Sequence, residues 1–432
     1  MDRKNLPAIA WVPSLYFAQG LPYVAVITVS VIMYKRLGMS NSEIGVYTSM
    51  LYLPWVLKPL WSPVVDVFFS KRLWTLAMQA GLGVGFAAVA FSLDKPMAVQ
   101  ISLAAFFLLA FLSATHDTAS DGFYMYALDG HRQSLMVGVR TAFYRLAMLA
   151  GQGGLVYLAG VLEVWYGNIP MAWSMVFVVM SCLFVAFFLL HSFTLPRPVA
   201  DADMSRRGGH RSLGDILKAS ADTFISFFRK PGVWPTIAFI LLYKFPEAQL
   251  VKLINPFLLD GRVDGGMGMT TADVGVTYGV WGLIGIILGG ILGGIIAGIF
   301  GLRRVLHPLA WCMSLTCLVF VFLSYYTSSP RWVVDVCVFV EQLGYGLGTT
   351  AFMLYLLYFS EGSNRTTHYA LCTGIMSLGM MLPGMAAGYL QELMGYQHFF
   401  LWTMACCAAT IGVCYIVKVP ASFGRRRKDV AK

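Results

Sequence analysis

Asp117 and Asp121 stand four residues apart in the run Ser113-Ala-Thr-His-Asp117-Thr-Ala-Ser-Asp121, inside an otherwise apolar stretch from about Met97 to Leu128. Residues four apart share one helix face, so both carboxylates point the same way. A charge near the middle of a bilayer costs at least about 2–3 kcal/mol and normally faces a protein interior or a watery cavity. Eight ionisable residues lie within apolar runs of this kind: Lys58, Asp117, Asp121, Arg145, Lys244, Glu247, Lys252 and Glu341. Four are cationic and four anionic, which predicts pairing rather than isolated charges.

Lys58, Asp117, Asp121 and Arg145 are expected to form one network, either fixed as a packing device or rearranging between two states. Further along the chain, Lys244 and Glu247 are three residues apart, and Glu341 is placed to meet them from a later helix. Burial disfavours an ionised carboxylate and a nearby cation favours it, and competition between the two suits a proton carrier. Glu247 and Glu341 are therefore the first candidates for proton coupling, against a static pair with Lys244, and Asp117 and Asp121 are the next. His116 adjoins Asp117, but adjacent helical residues point to different faces, so a relay through it is not expected. In Tyr16-Phe-Ala-Gln19-Gly20-Leu-Pro22, glycine and proline weaken the backbone ladder, as happens beside a cavity. Gln19 would there offer a ligand both a donor and an acceptor. The alternative is a gentle kink with Gln19 packed against a neighbour.

No Ser-His-Asp spacing, phosphate-binding loop or His-Glu-x-x-His occurs, so neither an enzyme nor a cofactor is expected. The eight cysteines fall within apolar runs without Cys-x-x-Cys spacing, which argues against a disulfide framework and against a metal site.

The elements carrying these residues must be membrane helices. The 432 residues are 58% hydrophobic and only 12% charged, with a mean hydropathy of +0.69; soluble domains carry roughly 25% charged residues. Segments of about 20 apolar residues recur near 10–34, 44–66, 73–92, 98–128, 138–162, 171–193, 233–259, 273–300, 305–326, 331–358, 368–392 and 397–418. No cleavable signal peptide is expected ahead of the first. With both termini inside, the inner loops collect Arg3, Lys4, Lys71, Arg72, Arg132, Arg140, Arg303, Arg304, Arg365 and the run Arg425–Lys428, and the outer ones are poor in cations. That asymmetry accounts for the net charge of +10 without a nucleic-acid partner.

The longest polar segment, 194–232, separates segments six and seven. It becomes amphipathic at Leu213, Ile216, Leu217, Phe224 and Phe228, which predicts a helix on the inner membrane face capped near Ser212. The expected organisation is a six-helix half over 1–193, this linker, a second half over 233–418 and a basic tail over 419–432. The halves resemble each other: Ser40-Asn-Ser-Glu43-Ile-Gly45 corresponds to Thr270-Thr-Ala-Asp273-Val-Gly275, and Lys71-Arg72 to Arg303-Arg304. Parallel six-helix repeats are the architecture of the major facilitator superfamily. Its signature inner loop, an acid followed by cations, is matched by Asp66 with Lys71 and Arg72 as the conformational loop. The fold class is thus an all-α membrane protein of twelve transmembrane helices.

Several stretches together resemble the AmpG-type muropeptide permeases of that superfamily. They are Tyr16-Phe with Gly20-Leu-Pro22, Lys58-Pro-Leu-Trp-Ser-Pro63 with Asp66, Ser113-Ala-Thr-His-Asp117 with Asp121, and Tyr144-Arg-Leu-Ala-Met148. They continue with Tyr243-Lys244 and Glu247, Glu341 with Gly348-Thr-Thr-Ala-Phe352, and Tyr369-Ala-Leu371. The resemblance implies proton-driven import of anhydromuropeptides from cell-wall turnover across the bacterial inner membrane. Acetyl-CoA transporters look similar in helices one, two and four, so another anionic substrate stays open, as does a transceptor that binds without moving its ligand. A carboxylate-bearing sugar-peptide suits a lining of Lys58, Arg145 and Lys244 with Tyr16, Gln19, Tyr144 and Tyr243. The expected partners are that small molecule, protons and lipid, with the chain acting as a monomer.

Overall fold

The computed structural model describes residues 7–198, 201, 213–362, 365–420 and 423, without the side chains of a few helical residues, Asp66 among them. Among the described residues every element is helical. Twelve apolar helical segments follow in order: α1 (Val12–Arg36), α2 in two pieces (Asn41–Met50 and Leu53–Val67), α3 (Lys71–Ser92), α4 (Ala98–Ala127), α5 (130–166) and α6 (Ile169–Thr194). The second set comprises α7 in two pieces (Val233–Tyr243 and Phe245–Leu259), α8 (Thr271–Phe300), α9 (Leu302–Tyr325) and α10 (Arg331–Phe359). A helical run Arg365–Ile416 supplies α11 and α12, divided at Gly395, whose φ of 74° suits only glycine. The protein is a multi-pass membrane protein with twelve transmembrane helices.

The segments expected from hydropathy are all present, and one differs in a way that matters. α5 starts eight residues before the expected 138, because the Asp129 side chain accepts from Arg132 N at 2.9 Å and caps the helix there. Arg140, expected in an inner loop, therefore lies well inside α5.

The chain separates into two compact units, one of residues 1–38 and 51–222, the other of 39–50 and 223–432. The break in α2 at Leu51–Tyr52 falls at this division, so its first piece groups with the second unit. In the first unit α1 runs on through Gly20 and Pro22 as helix, and the turn after them widens over Ala25–Val29. Gly20 serves close packing: a Cβ there would sit 2.9 Å from Ala147 Cβ and 3.0 Å from Tyr144 O on α5. In the second unit α8 and α10 touch backbone to backbone. A Cβ at Gly289 would meet Leu343 O at 2.1 Å, and one at Gly346 would meet Ile286 O at 2.6 Å. Without a hydrophobic drive between helices in lipid, such small residues allow the contact that holds α8 and α10 in register.

The linker helix (Leu213–Phe228) forms, although its expected cap Ser212 lies outside the described residues, as does the basic run Arg425–Lys428. Phe227 from it packs against Phe359 and His368. Lys230, just beyond, donates to Phe359 O and Glu361 O at the end of α10.

Candidate functional site

In the first unit α4 presents Asp117 and Asp121 to the same side, as the four-residue spacing requires. Lys58 from α2 forms an ion pair with Asp117 Oδ2, and Gln19 Nε2 donates to Asp117 Oδ1. Asp121 Oδ1 accepts from the Tyr16 hydroxyl at 2.9 Å and from Arg140 at 3.1 Å. The Arg140 guanidinium lies 4.4 Å over the Tyr16 ring and 5.1 Å over that of Tyr124. The carboxyl side chains keep 28% and 39% exposure, so neither acid is fully enclosed by protein side chains.

The cation on Asp121 differs from the sequence expectation. Arg145 is exposed and makes no hydrogen bond or ion pair among the described residues; Arg140, five residues earlier, takes the acid. Tyr144 is half-buried, set against Gly20. Tyr16 is buried and holds Asp121 rather than standing free. Gln19 keeps its own carbonyl without a protein partner, which leaves one acceptor to offer.

His116 points away from Asp117, as adjacency on a helix predicts. It takes part in a buried chain that the sequence did not disclose: Gln79 Nε2 to His116 Nε2 at 3.0 Å, His191 Nδ1 to Gln79 Oε1 at 3.0 Å, and Ser14 Oγ to His191 Nε2 at 3.0 Å. His191, near a helix end, had only its polarity within an apolar run as a signal. The chain ties α1, α3, α4 and α6 together behind the acids.

Lys71 and Arg72, expected as loop cations, occupy the first turn of α3. Lys71 is buried and donates to Val65 O at 2.9 Å. Arg72 donates to Ser192 O at 2.7 Å and Leu195 O at 3.2 Å. Both thereby satisfy carbonyls at the ends of α2 and α6. Asp201 of the linker accepts from the backbone N–H groups of Lys71 and Arg72, at 2.7 and 3.2 Å. The side chain of Asp66 lies outside what is described.

In the second unit Pro246 withholds a backbone donor and α7 breaks at Lys244, which adopts φ −101° and ψ 13°. Lys244 still acts electrostatically on Glu247 but makes its hydrogen bonds elsewhere. Lys244 Nζ instead donates to the Tyr345 hydroxyl at 2.9 Å and Thr349 Oγ1 at 3.3 Å. It lies 4.4 Å over the Tyr345 ring and 5.7 Å over that of Phe352. It forms no ion pair among the described residues.

Glu247 and Glu341 are buried at 2% and 1% exposure and interact electrostatically with each other. Glu341 Oε2 accepts from Gln342 at 2.8 Å, and Glu247 Oε1 has no hydrogen-bond partner among the described residues. Tyr278 of α8, not singled out from the sequence, stands with them, and its hydroxyl also lacks a partner. Tyr243 departs from its expected place in a binding wall. It is fully buried, stacked on Phe352, and its hydroxyl donates to Gly348 O at 3.0 Å. It belongs to the core because it faces α10 above the break.

Also within the second unit, the first piece of α2 lies against α7 and α11. Asn41 donates to Gln391 Oε1 at 2.7 Å and to the Tyr396 hydroxyl at 2.9 Å. Lys252 Nζ donates to Thr48 Oγ1 at 3.0 Å.

The sequence model of the Major Facilitator Superfamily matches residues 14–382, and the chain belongs to that superfamily, a class of membrane transporters. It is similar to the anhydromuropeptide permease of Escherichia coli (strain K12), 27% identical over 413 residues, with 90% of this chain and 76% of the permease covered. It is also similar to putative transporter AmpG 4 of Rickettsia conorii, 25% identical over 405 residues that cover 90% of this chain and 91% of the relative. Among solved structures the fold matches a D-xylose-proton symporter with a TM-score of 0.71, 14% identity and coverage of 96% and 98% of the two chains. A nucleoside transporter matches with a TM-score of 0.71, 15% identity and coverage of 97% and 100%.

Proposed function

We propose that this protein is a proton-coupled secondary transporter that imports anhydromuropeptides across the bacterial cytoplasmic membrane by alternating access. The observation that carries the coupling is the pair Glu247 and Glu341, buried together with no cation in ion-pair contact with either among the described residues. An uncompensated charge in a dry site costs several kcal/mol by general argument, and uptake of a proton removes it. A carboxyl that must be neutral in one state and is free to ionise when water reaches it is the element a symporter needs.

The substrate class rests on charge and on kinship. Lys244 offers an ammonium held by two hydroxyls and two aromatic faces, with no acid in ion-pair contact among the described residues. A substrate carboxylate completes that arrangement. The first unit carries a polar cluster of its own in Lys58, Arg140, Gln19 and Asp121. Similarity over nine-tenths of the chain to a permease named for anhydromuropeptides supports that class among anionic ligands.

The positive-inside distribution supports an orientation with both termini in the cytoplasm. Halves 1–193 and 233–418, joined by the cytoplasmic linker 194–232 and followed by the tail 419–432, are the moving parts of this reading, with one chain sufficient.

Uptake into proteoliposomes tests it. Labelled anhydromuropeptide is compared with acetyl-CoA and a plain dipeptide, each with and without an inward proton gradient. Gradient-stimulated uptake of the muropeptide alone supports the reading. Preference for either competitor, or binding without flux, overturns the substrate or the transport assignment.

A further inference from the structure

Buried polar groups are nearly always hydrogen-bonded, and each exception calls for a cause. Two exceptions meet in the second unit. The Tyr278 hydroxyl and Glu247 Oε1 are both buried without a partner among the described residues, and both lie in the electrostatic neighbourhood of Glu341. A phenol O–H and a carboxylate oxygen are complementary, so each is of the kind the other lacks in this state.

The backbone around Tyr278 is of the kind that shifts. Tyr278 lies in a widened helical turn, Thr277–Gly282, within α8. Such π-type turns are rare and frequent at functional sites. The turn is pinned at its start by Thr277 Oγ1 donating to Asp335 Oδ1 at 2.6 Å. At its end Gly282 leaves room where a Cβ would meet Tyr278 Cδ1 at 3.2 Å and Gln342 Cγ at 3.5 Å. The ring therefore lies against the stretch of α10 that carries Glu341 and Gln342. Conversion of the turn to regular α-helix would move the ring relative to both carboxylates.

We propose that Tyr278 is a third member of the coupling site, a positioning residue whose hydroxyl donates to the ionised carboxylate of Glu247 or Glu341 at the step where the proton leaves. The tyrosine keeps its own proton throughout; the carboxyl proton passes to water, and the phenol O–H takes its place as a donor to the anion. This role rests on the proton-coupled reading above. The ionisable groups around it are Glu247 and Lys244 from α7, Glu341 and Asp335 from α10, and the thiols of Cys317 from α9 and Cys407 from α12.

Tyr278→Phe keeps the ring and removes only the hydroxyl, which has no bond to lose in the present state. Two modes are measured in proteoliposomes: gradient-driven accumulation, which requires deprotonation in each cycle, and counterflow exchange at equal pH, which does not. We expect accumulation to slow by about tenfold, the value of one hydrogen bond to a charged group, with its pH profile displaced and exchange near wild type. Equal loss in both modes marks a structural residue and overturns the proposal. So does a variant indistinguishable from wild type. Wild-type uptake that ignores the proton gradient overturns the coupling reading itself and this role with it, whereas coupled wild-type uptake with an unaffected variant removes Tyr278 alone.

Discussion

Arg140, in the third turn of α5, donates at 3.1 Å to Oδ1 of Asp121 on α4, nineteen positions earlier in the chain. The same guanidinium covers the ring of Tyr16, whose hydroxyl bonds the same oxygen. One acid is thus held by a cation and a phenol that also hold each other.

That relationship separates two arginines. With side chains 30% and 39% exposed, the Arg140–Asp121 pair contributes at most about 1 kcal/mol, and the ring contacts add about 0.5–1 kcal/mol. Arg140→Gln should therefore fold, with a melting temperature only a few degrees lower, and lose most of its uptake because Asp121 is left without its cation. Arg145→Gln should resemble wild type in both measurements. The reverse ranking in a side-by-side uptake assay would remove Arg140 from the site.

Neutralising the second-unit carboxylates distinguishes coupling from packing. Glu341→Gln mimics a protonated acid, so counterflow exchange should persist while accumulation against a gradient disappears, and Glu247→Gln should behave likewise. Lys244 bonds Tyr345 and Thr349 rather than either glutamate, so neither change strands it. Full accumulation by both variants would redirect attention to Asp117 and Asp121.

Lys244→Met retains an unbranched stem of similar length and removes the charge. The Michaelis constant for a carboxylate-bearing substrate should rise by about tenfold or more, as expected for a hydrogen bond to a charged group. An analogue with that carboxylate amidated should be transported equally by wild type and variant. A uniform loss for both substrates would mean that Lys244 supports the break in α7 and not the ligand.

Gly388→Ala tests the clasp on the first piece of α2. A Cβ at Gly388 would stand 1.8 Å from Asn41 O and 2.6 Å from Ser42 N, so the backbone of one element must yield. The contact with α11 should loosen, exposing Ser49, whose hydroxyl is buried beside Gly384. In a cysteine-depleted background, Ser49→Cys should react with an impermeant thiol reagent several times faster when Gly388→Ala is also present. An unchanged rate would show that the helices adjust without parting.

The twelve spans and the burial of Glu247, Glu341 and Lys244 were determined by sequence alone, because lipid rejects charge and accepts about twenty apolar residues in one helix. Helical spacing likewise determined that Asp117 and Asp121 share a face. Which neighbour stands opposite that face was decided by tertiary structure. Periodicity orients a side chain about its own axis but says nothing of the axis beside it, so Arg140, Tyr16 and Gln19 became partners only when α1, α4 and α5 packed. The Asp129 cap moved the start of α5 and brought Arg140 into reach in place of Arg145. The break at Lys244 leaves that side chain bonded to Tyr345 and Thr349 of α10, and Tyr243 packs into the core beside it. Tyr278 and the Gln79–His191 bond had no sequence signal beyond polar residues in apolar runs, since their meaning lies in partners on other helices, far along the chain.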